Sequence, residues 1–128
     1  IDIHGNISAG TSTGGTTNKI WGRIGDVPII GAGNYANNEC CGISATGWGE
    51  HFIRNVVAYD IAAQMIYKNE NIEEASKKSL DKVKATGGDG GVIGIDKNGN
   101  IAMEFNTAGM YRAHIDNEGN ITIKIYKD

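Results

Sequence analysis

The chain has 128 residues, 40% of them apolar, which suffices for one globular domain with its own core and excludes disordered and fibrous classes. Its formal net charge is −3 and its basic residues are dispersed, so it lacks the electrostatic footprint for nucleic acids or anionic membranes. No apolar run approaches the roughly 18 residues of a membrane span, and we expect a single soluble domain over residues 1–128.

The pattern Ile-Asp-x-x-Gly-Asn-Ile opens the chain at Ile1 and returns at Ile95 and Ile115. Each copy joins an Asp that can bond to the turn backbone with a Gly that accepts positive φ, between β-branched residues. The spacing is too uneven for a solenoid. The pattern therefore predicts three antiparallel hairpins.

A Ser/Thr-rich and Gly-rich tract follows the first turn, over residues 9–18. A phosphate-binding loop would end in Gly-Lys-Ser/Thr and lead into a helix, and this tract does neither. From composition alone it is a hydroxyl-rich turn that carries Thr11 and Thr13.

Residues 22–26 (Gly-Arg-Ile-Gly-Asp) place a cation and a carboxylate three positions apart in a glycine-flanked loop. A free amino acid carries both charges: Arg23 could clamp its carboxylate through a planar fork, and Asp26 could accept from its ammonium. The alternative is a surface ion pair worth less than about 1 kcal/mol.

Cys40 and Cys41 are adjacent, and a disulfide between neighbours would strain the backbone. They predict reduced thiols and a reducing compartment, for which the cytoplasm is the expected location. No Cys or His lies at metal-ligand spacing, so we expect no metal site.

Residues 45–50 (Ala-Thr-Gly-Trp-Gly-Glu) come just before a helical pattern. The Thr46 hydroxyl and the unhindered Gly47 amide could form an oxyanion hole at this strand-to-helix junction. The alternative is a helix-entry turn in which Thr46 only caps the helix.

Two helices are predicted next. Ile53, Val57, Ile61 and Met65 recur every four residues and predict a helix over residues 50–67. A second begins near Ile72, with acidic residues in its first turn and lysines later, and stops at Gly87.

Alternating strands at residues 92–95, 101–105 and 121–125 predict a C-terminal antiparallel meander. With the preceding strands and the two helices, this gives an α+β domain in which two helices pack on an antiparallel sheet.

Eight motifs occur in a fixed order along the whole chain and together resemble the β subunit of plant-type L-asparaginase/isoaspartyl peptidase. They are residues 11–15 (Thr-Ser-Thr-Gly-Gly), 22–26 (Gly-Arg-Ile-Gly-Asp), 31–38 (Gly-Ala-Gly-Asn-Tyr-Ala-Asn-Asn), 46–50 (Thr-Gly-Trp-Gly-Glu), 52–54 (Phe-Ile-Arg), 58–63 (Ala-Tyr-Asp-Ile-Ala-Ala), 87–91 (Gly-Gly-Asp-Gly-Gly) and 105–112 (Phe-Asn-Thr-Ala-Gly-Met-Tyr-Arg).

The resemblance implies half of an αββα sandwich of the N-terminal-nucleophile hydrolase class. In such enzymes a precursor cleaves itself just before a threonine, whose hydroxyl attacks a side-chain amide while its own α-amino group acts as the base. An acyl-enzyme forms and is hydrolysed by water. The substrate is L-asparagine, a β-aspartyl (isoaspartyl) dipeptide, or both.

The resemblance also assigns roles to particular residues. Thr13 would orient the nucleophile, with Thr11 in support. Arg23 and Asp26 would hold the substrate's α-carboxylate and α-amino group, and Gly49 would approach the same ammonium. Thr46 and the Gly47 amide would form the oxyanion hole.

The family's β subunit begins with the nucleophilic Thr and a short apolar strand, which would lie a few residues upstream of Ile1. We therefore expect this chain alone to be inactive. We also expect it to pair with the α subunit of the same precursor, which carries the family's sodium-binding loop, in a dimer of αβ units. No cofactor is expected on this chain.

Two alternatives remain at this point. One is the related glycosylasparaginase, which must admit a sugar on the amide nitrogen. Gly14 and Gly15 after Thr13, and the Phe-Asn-Thr-x-Gly-Met tract from Phe105, favour the asparaginase branch. The other is a non-catalytic module that binds an amino acid or is structural.

Overall fold

In a computed structural model, which describes residues 1–127, three helices cover one face of a four-stranded antiparallel sheet, and a two-stranded hairpin follows. The sheet order is β1-β2-β3-β4, and β5 pairs with β6. The elements are β1 (Asn34–Ala36), β2 (Cys41–Gly47), α1 (Gly49–Asn55), α2 (Val57–Lys68), α3 (Ile72–Ala85), β3 (Gly90–Asp96), β4 (Ile101–Phe105), β5 (Gly109–Ile115) and β6 (Ile121–Tyr126). The predicted α+β class is confirmed, and one helical layer on one sheet is consistent with half of an αββα sandwich.

The core lies between the helices and one face of the sheet. Alternate residues of β2, including Ile43, point towards the helices and are fully buried. They meet Phe52 of α1 and Ile61 of α2, which are also fully buried. Cys40 and Cys41 lie in this core as free thiols, as predicted, with their sulfur atoms 3.5 Å apart.

The single helix predicted over residues 50–67 is in fact two helices, which meet at Val56. Val56 adopts left-handed backbone angles, with φ 47° and ψ 48°. Tertiary hydrogen bonds explain the break, because the amides of Ala58 and Tyr59 donate to the carbonyls of Ala32 and Gly31, at 3.2 and 2.8 Å. The loop before β1 therefore docks onto the start of α2, where those amides have no helical partner.

Two of the three predicted hairpins are confirmed, at Asp96 between β3 and β4 and at Asp116 between β5 and β6. The turn at Asp2 makes the same bonds: its amide donates to the Asn6 carbonyl at 2.9 Å, and its carboxylate accepts from the amides of His4 and Asn6. The predicted turn is therefore present at this copy, but residues 1–7 contain no strand, so the predicted strand pairing is not observed there.

The predicted continuous meander is also wrong, because the chain leaves the main sheet after β4. The Asn106 side chain accepts from the Gly90 amide at 2.8 Å and donates to the Gly88 carbonyl at 3.0 Å, which ties the end of β4 to the start of β3. The β5–β6 hairpin then lies partly across the sheet face opposite the helices. Ile93 and Ile101 on this open face remain 44% and 37% exposed.

Candidate active site

The N-terminal loops and the end of β2 enclose a cleft of about 310 Å³. Its lining draws on three segments that are separate in sequence. Six of the seven residues singled out from the sequence line it: Thr11, Thr13, Arg23, Asp26, Gly47 and Gly49. The seventh, Thr46, lines a neighbouring cleft that shares Gly47 with the first.

Asp26 is fixed by the loop that leads into β1. Its carbonyl accepts from the amides of Ile29 and Gly33, at 2.9 and 3.1 Å, and closes a tight turn. Asn34 holds the same loop by donating from its side chain to the Val27 carbonyl at 2.7 Å. Asp26 is only 4% exposed, so the position of its side chain depends on the folding of this loop.

Among the described residues that line the cleft, only Asp26 has a buried side-chain polar atom without a hydrogen-bond partner. Its Oδ2 is buried and accepts no hydrogen bond from any residue in 1–127. Burial raises the pKa of this carboxyl, and the nearby Arg23 charge only partly offsets that effect. A buried anionic oxygen at a cleft wall is matched by a cationic donor from a ligand.

Gly49 lets the backbone approach this carboxylate. A Cβ atom at residue 49 would lie 2.8 Å from Asp26 Oδ1 and 3.0 Å from the Asp26 amide nitrogen. Any side chain there would displace the carboxylate.

Arg23 forms its ion pair with Glu50 in the first turn of α1, and not with Asp26. Its Nε lies 3.2 Å from Glu50 Oε1, and its Nη2 donates to the same oxygen. This bond lowers the pKa of Glu50. The pair engages one edge of the guanidinium, so Nη1 remains able to donate to a ligand carboxylate.

The two threonines differ in how firmly they are held. Thr11 donates to the Gly33 carbonyl at 2.9 Å and lies 2.7 Å from the Ser44 hydroxyl, which fixes it to the sheet. Thr13 is exposed, and within residues 1–127 its hydroxyl accepts only from the Gly15 amide, at 3.3 Å.

Thr46 and Gly47 end strand β2. Gly47 has φ +151°, and its Cα packs so closely on the Gly90 backbone that a Cβ would lie 2.7 Å from that residue's Cα. The capping alternative for Thr46 is wrong: the N-cap of α1 is Trp48, and no side chain caps the helix. The exposed Thr46 hydroxyl has no hydrogen-bond partner within residues 1–127.

The family model for asparaginases (Asparaginase_2) matches residues 1–125. The chain belongs to this family. It is 54% identical to the isoaspartyl peptidase of Escherichia coli (strain K12) over 88% of this chain and 36% of that protein. It is 50% identical to a putative isoaspartyl peptidase/L-asparaginase of Dictyostelium discoideum over 99% of this chain and 39% of that protein. A probable isoaspartyl peptidase/L-asparaginase 2 of Arabidopsis thaliana is 42% identical over 99% and 38%.

The chain thus spans less than two-fifths of the length of these asparaginase-family relatives. The resemblance stated from the sequence motifs is confirmed at the level of the family.

Sequence reasoning missed the partner of Arg23. Glu50 was part of a recognised motif but had no role, because 27 positions separate the two residues and no pattern links them. The only signal for this contact in the sequence was that Glu50 is an acidic residue at the predicted start of a helix.

Within residues 1–127 no three His, Cys, Asp or Glu side chains come together as a metal site, and no helix is long and apolar enough to cross a membrane.

Proposed function

We propose that this chain is the amino-acid-binding half of an amidohydrolase that cleaves the side-chain amide of L-asparagine, of β-aspartyl dipeptides, or of both. One observation carries the proposal: the buried, unpartnered Asp26 carboxylate shares a cleft with a guanidinium that has a free edge. These two groups match the ammonium and carboxylate of an α-amino acid.

In this proposal the substrate's ammonium donates to Asp26 Oδ2 and its α-carboxylate accepts from Arg23. Gly49 leaves room for the ammonium beside Asp26. The head group is then fixed at two points, which positions the side-chain amide for attack.

The amide carbonyl would lie at the end of β2, with its oxygen between the Thr46 hydroxyl and the Gly47 amide. Both donors are attached to a strand that pairs over seven positions with β3, so they are held in place before charge develops. The unpartnered Thr46 hydroxyl supports this role.

The nucleophile in this proposal is a threonine upstream of Ile1. A strand preceding Ile1 that continued the Asp2–Asn6 hairpin would lie alongside residues 7–13, since the turn pairs residue 2 with residue 6. It would lead back to Thr13 at the cleft, and Thr13 and Thr11 would orient the attacking group.

The threonine hydroxyl attacks the amide carbon and its proton passes to the threonine α-amino group, which then protonates the departing nitrogen. Ammonia or an amino acid leaves, and an ester joins the threonine to the aspartyl acyl group. Water, deprotonated by the same amine, hydrolyses the ester and releases L-aspartate.

The partner we propose is the α part of the same precursor, in a dimer of αβ units. The open sheet face, with Ile93 and Ile101 exposed, is the face on which a second sheet would stack. The relatives contain the additional length that such a part requires. The buried free thiols Cys40 and Cys41 favour a reducing compartment such as the cytoplasm.

The test is to express the complete precursor and assay it for self-cleavage, for ammonia release from L-asparagine and for hydrolysis of a β-aspartyl dipeptide. We expect cleavage before a threonine upstream of Ile1 and turnover of at least one substrate. Hydrolysis restricted to N-acetylglucosaminyl-asparagine would favour glycosylasparaginase instead, although the relatives' names favour isoaspartyl peptidase. Asparagine binding without cleavage or turnover would indicate a non-catalytic module.

A further inference from the structure

A second cleft, of about 430 Å³, opens on the other side of Gly47 from the Asp26 cleft. Its floor consists of glycines at the start of β3, and its larger side chains are Trp48, Met110 and Tyr111. Gly47 lines both clefts, so a substrate whose scissile carbonyl lies at Gly47 is adjacent to both of them.

Trp48 is fixed in position and yet remains accessible. Its amide donates to the Asp89 carbonyl at 2.9 Å, and its ring lies 6.1 Å from the His51 ring at an interplanar angle of 40°. His51 is held in turn, because its Nδ1 lies 3.0 Å from the Thr86 hydroxyl. Trp48 is nevertheless 51% exposed, so half of its surface is available to a ligand.

Substrate geometry connects the two clefts. The head group of a β-aspartyl substrate occupies the Asp26 cleft, its carbonyl lies at Gly47, and the group on the amide nitrogen must leave away from the head group. For free asparagine that group is two hydrogens, whereas for a β-aspartyl dipeptide it is a whole amino acid. The second cleft is the space on that side.

We propose that the Trp48 cleft is the leaving-group subsite, and that it selects β-aspartyl dipeptides whose second residue is apolar or aromatic. This inference rests on the proposed amidohydrolase function. Contact with the faces of Trp48 and Tyr111 removes the apolar side chain from water. Tyr111 is 86% exposed and has most of its ring available.

Charge adds a second element of selection. Asp89 is an exposed carboxylate on the lining, and the lining contains no basic residue. Every dipeptide in the series brings the α-carboxylate of its second residue, so that repulsion is common to all of them, and an acidic side chain adds a further like charge without a counterion. We expect glutamate and aspartate in this position to be disfavoured.

The test uses the complete, self-processed protein and four dipeptides, β-Asp-Phe, β-Asp-Leu, β-Asp-Gly and β-Asp-Glu, with L-asparagine as reference. We expect kcat/KM for β-Asp-Phe to exceed that for β-Asp-Gly by roughly tenfold or more, a normal discrimination for an apolar pocket. β-Asp-Glu should be poorer than β-Asp-Leu.

The variant Trp48→Ala should reduce the Phe-to-Gly ratio of kcat/KM by about tenfold. Taking a ratio cancels any effect on processing or on the common chemical step. Trp48→Phe should retain most of the ratio, and Tyr111→Ala should lower it independently. The matched control is Tyr67→Ala, a tyrosine 74% exposed at the end of α2, which should leave the ratio unchanged.

The outcomes separate the two proposals. If the parent hydrolyses neither asparagine nor any dipeptide, the proposed function itself fails. If the parent hydrolyses dipeptides with equal efficiency whatever the second residue, or if Trp48→Ala and Tyr111→Ala leave the ratio intact, the leaving-group subsite is wrong while the function stands.

Discussion

At the scale of single residues, Asp26 shows a binding group retained at the expense of stability. Burial raises its pKa above the ordinary Asp value of 3.8, so the folded state holds the proton more tightly than the unfolded state. Stability is then lost as pH rises from 3.8 through the raised pKa, and the full penalty applies above that pKa. A group of this kind is kept for its ligand and not for the fold.

The variant Asp26→Asn should therefore melt at a higher temperature than the parent at neutral pH. The difference should shrink as pH falls through the range in which the Asp26 carboxyl takes up its proton. The same variant should lose roughly 30-fold or more in kcat/KM for asparagine, because a charge-assisted contact to the ammonium is worth about 2–3 kcal/mol. Thermal unfolding across pH, with steady-state kinetics, measures both effects.

The control variant is Asp116→Asn, whose effect on stability should depend on pH in the opposite direction to that of Asp26→Asn. Asp116 is exposed, and the Asn120 side chain and turn amides lower its pKa, so its stabilising effect is present at neutral pH and is lost on acidification. If both variants shifted the melting temperature with the same pH dependence, the account of Asp26 would be contradicted.

Arg23→Lys should keep the charge and lose the planar fork. We expect kcat/KM for asparagine to fall by roughly 30-fold or more, corresponding to about 2–3 kcal/mol. Because Arg23 is proposed to bind the α-carboxylate, a substrate amidated at that group should already be poor for the parent and little poorer for the variant. If the substitution and the amidation each lowered kcat/KM and the two losses were additive, Arg23 would have only its ion pair with Glu50 and would not bind the α-carboxylate.

Local chemistry allowed much of the site to be predicted. The Arg23 and Asp26 charges, close in sequence between glycines, suggested an amino-acid clamp, and family motifs related them to Thr13 and Gly47. What local sequence could not reveal is Glu50, since its contact with Arg23 depends on how α1 packs against a distant loop.

At the scale of elements, the Asp-x-x-Gly-Asn turns were predictable because their bonds are local. All three copies make the same bonds. Whether strands flank a turn depends on non-local pairing, and this is why the copy at Asp2 and the order of the meander departed from expectation. The break between α1 and α2 also has a non-local cause. Valine disfavours the left-handed backbone angles that Val56 adopts, and the hydrogen bonds to the carbonyls of Gly31 and Ala32 hold the chain in this conformation.

Val56→Asn should stabilise the protein. Asn tolerates left-handed angles much better than a β-branched residue, and Asn69 already adopts them at the end of α2. We expect a gain of about 0.5–1 kcal/mol in the free energy of unfolding, measured by denaturant titration. Val57→Asn, at the neighbouring fully buried position, should destabilise instead. A loss at Val56 as large as that at Val57 would rule out strain at the junction.

At the scale of the whole molecule, residues 1–127 cover the open sheet face only in part, and Ile93 remains 44% exposed there. Ile93→Glu places a charge on this face and should prevent the two parts of the mature protein from staying together, at a cost of at least about 2 kcal/mol. Co-purification and gel filtration of the complete protein measure it. The control is Ile66→Glu on α2, since Ile66 is 42% exposed against 44% for Ile93. Normal assembly of the Ile93 variant would show that no second sheet covers this face.

The Asp26 cleft is proposed to hold the two charges of an α-amino acid, and a crystal structure of the complete mature protein with bound L-aspartate tests this most directly. We predict the product's ammonium within hydrogen-bond distance of Asp26 Oδ2, its α-carboxylate on Arg23, and its side-chain carboxylate towards Thr46 and the Gly47 amide. Aspartate bound in another cleft, or in this one with Asp26 Oδ2 still unpartnered, would contradict the claim.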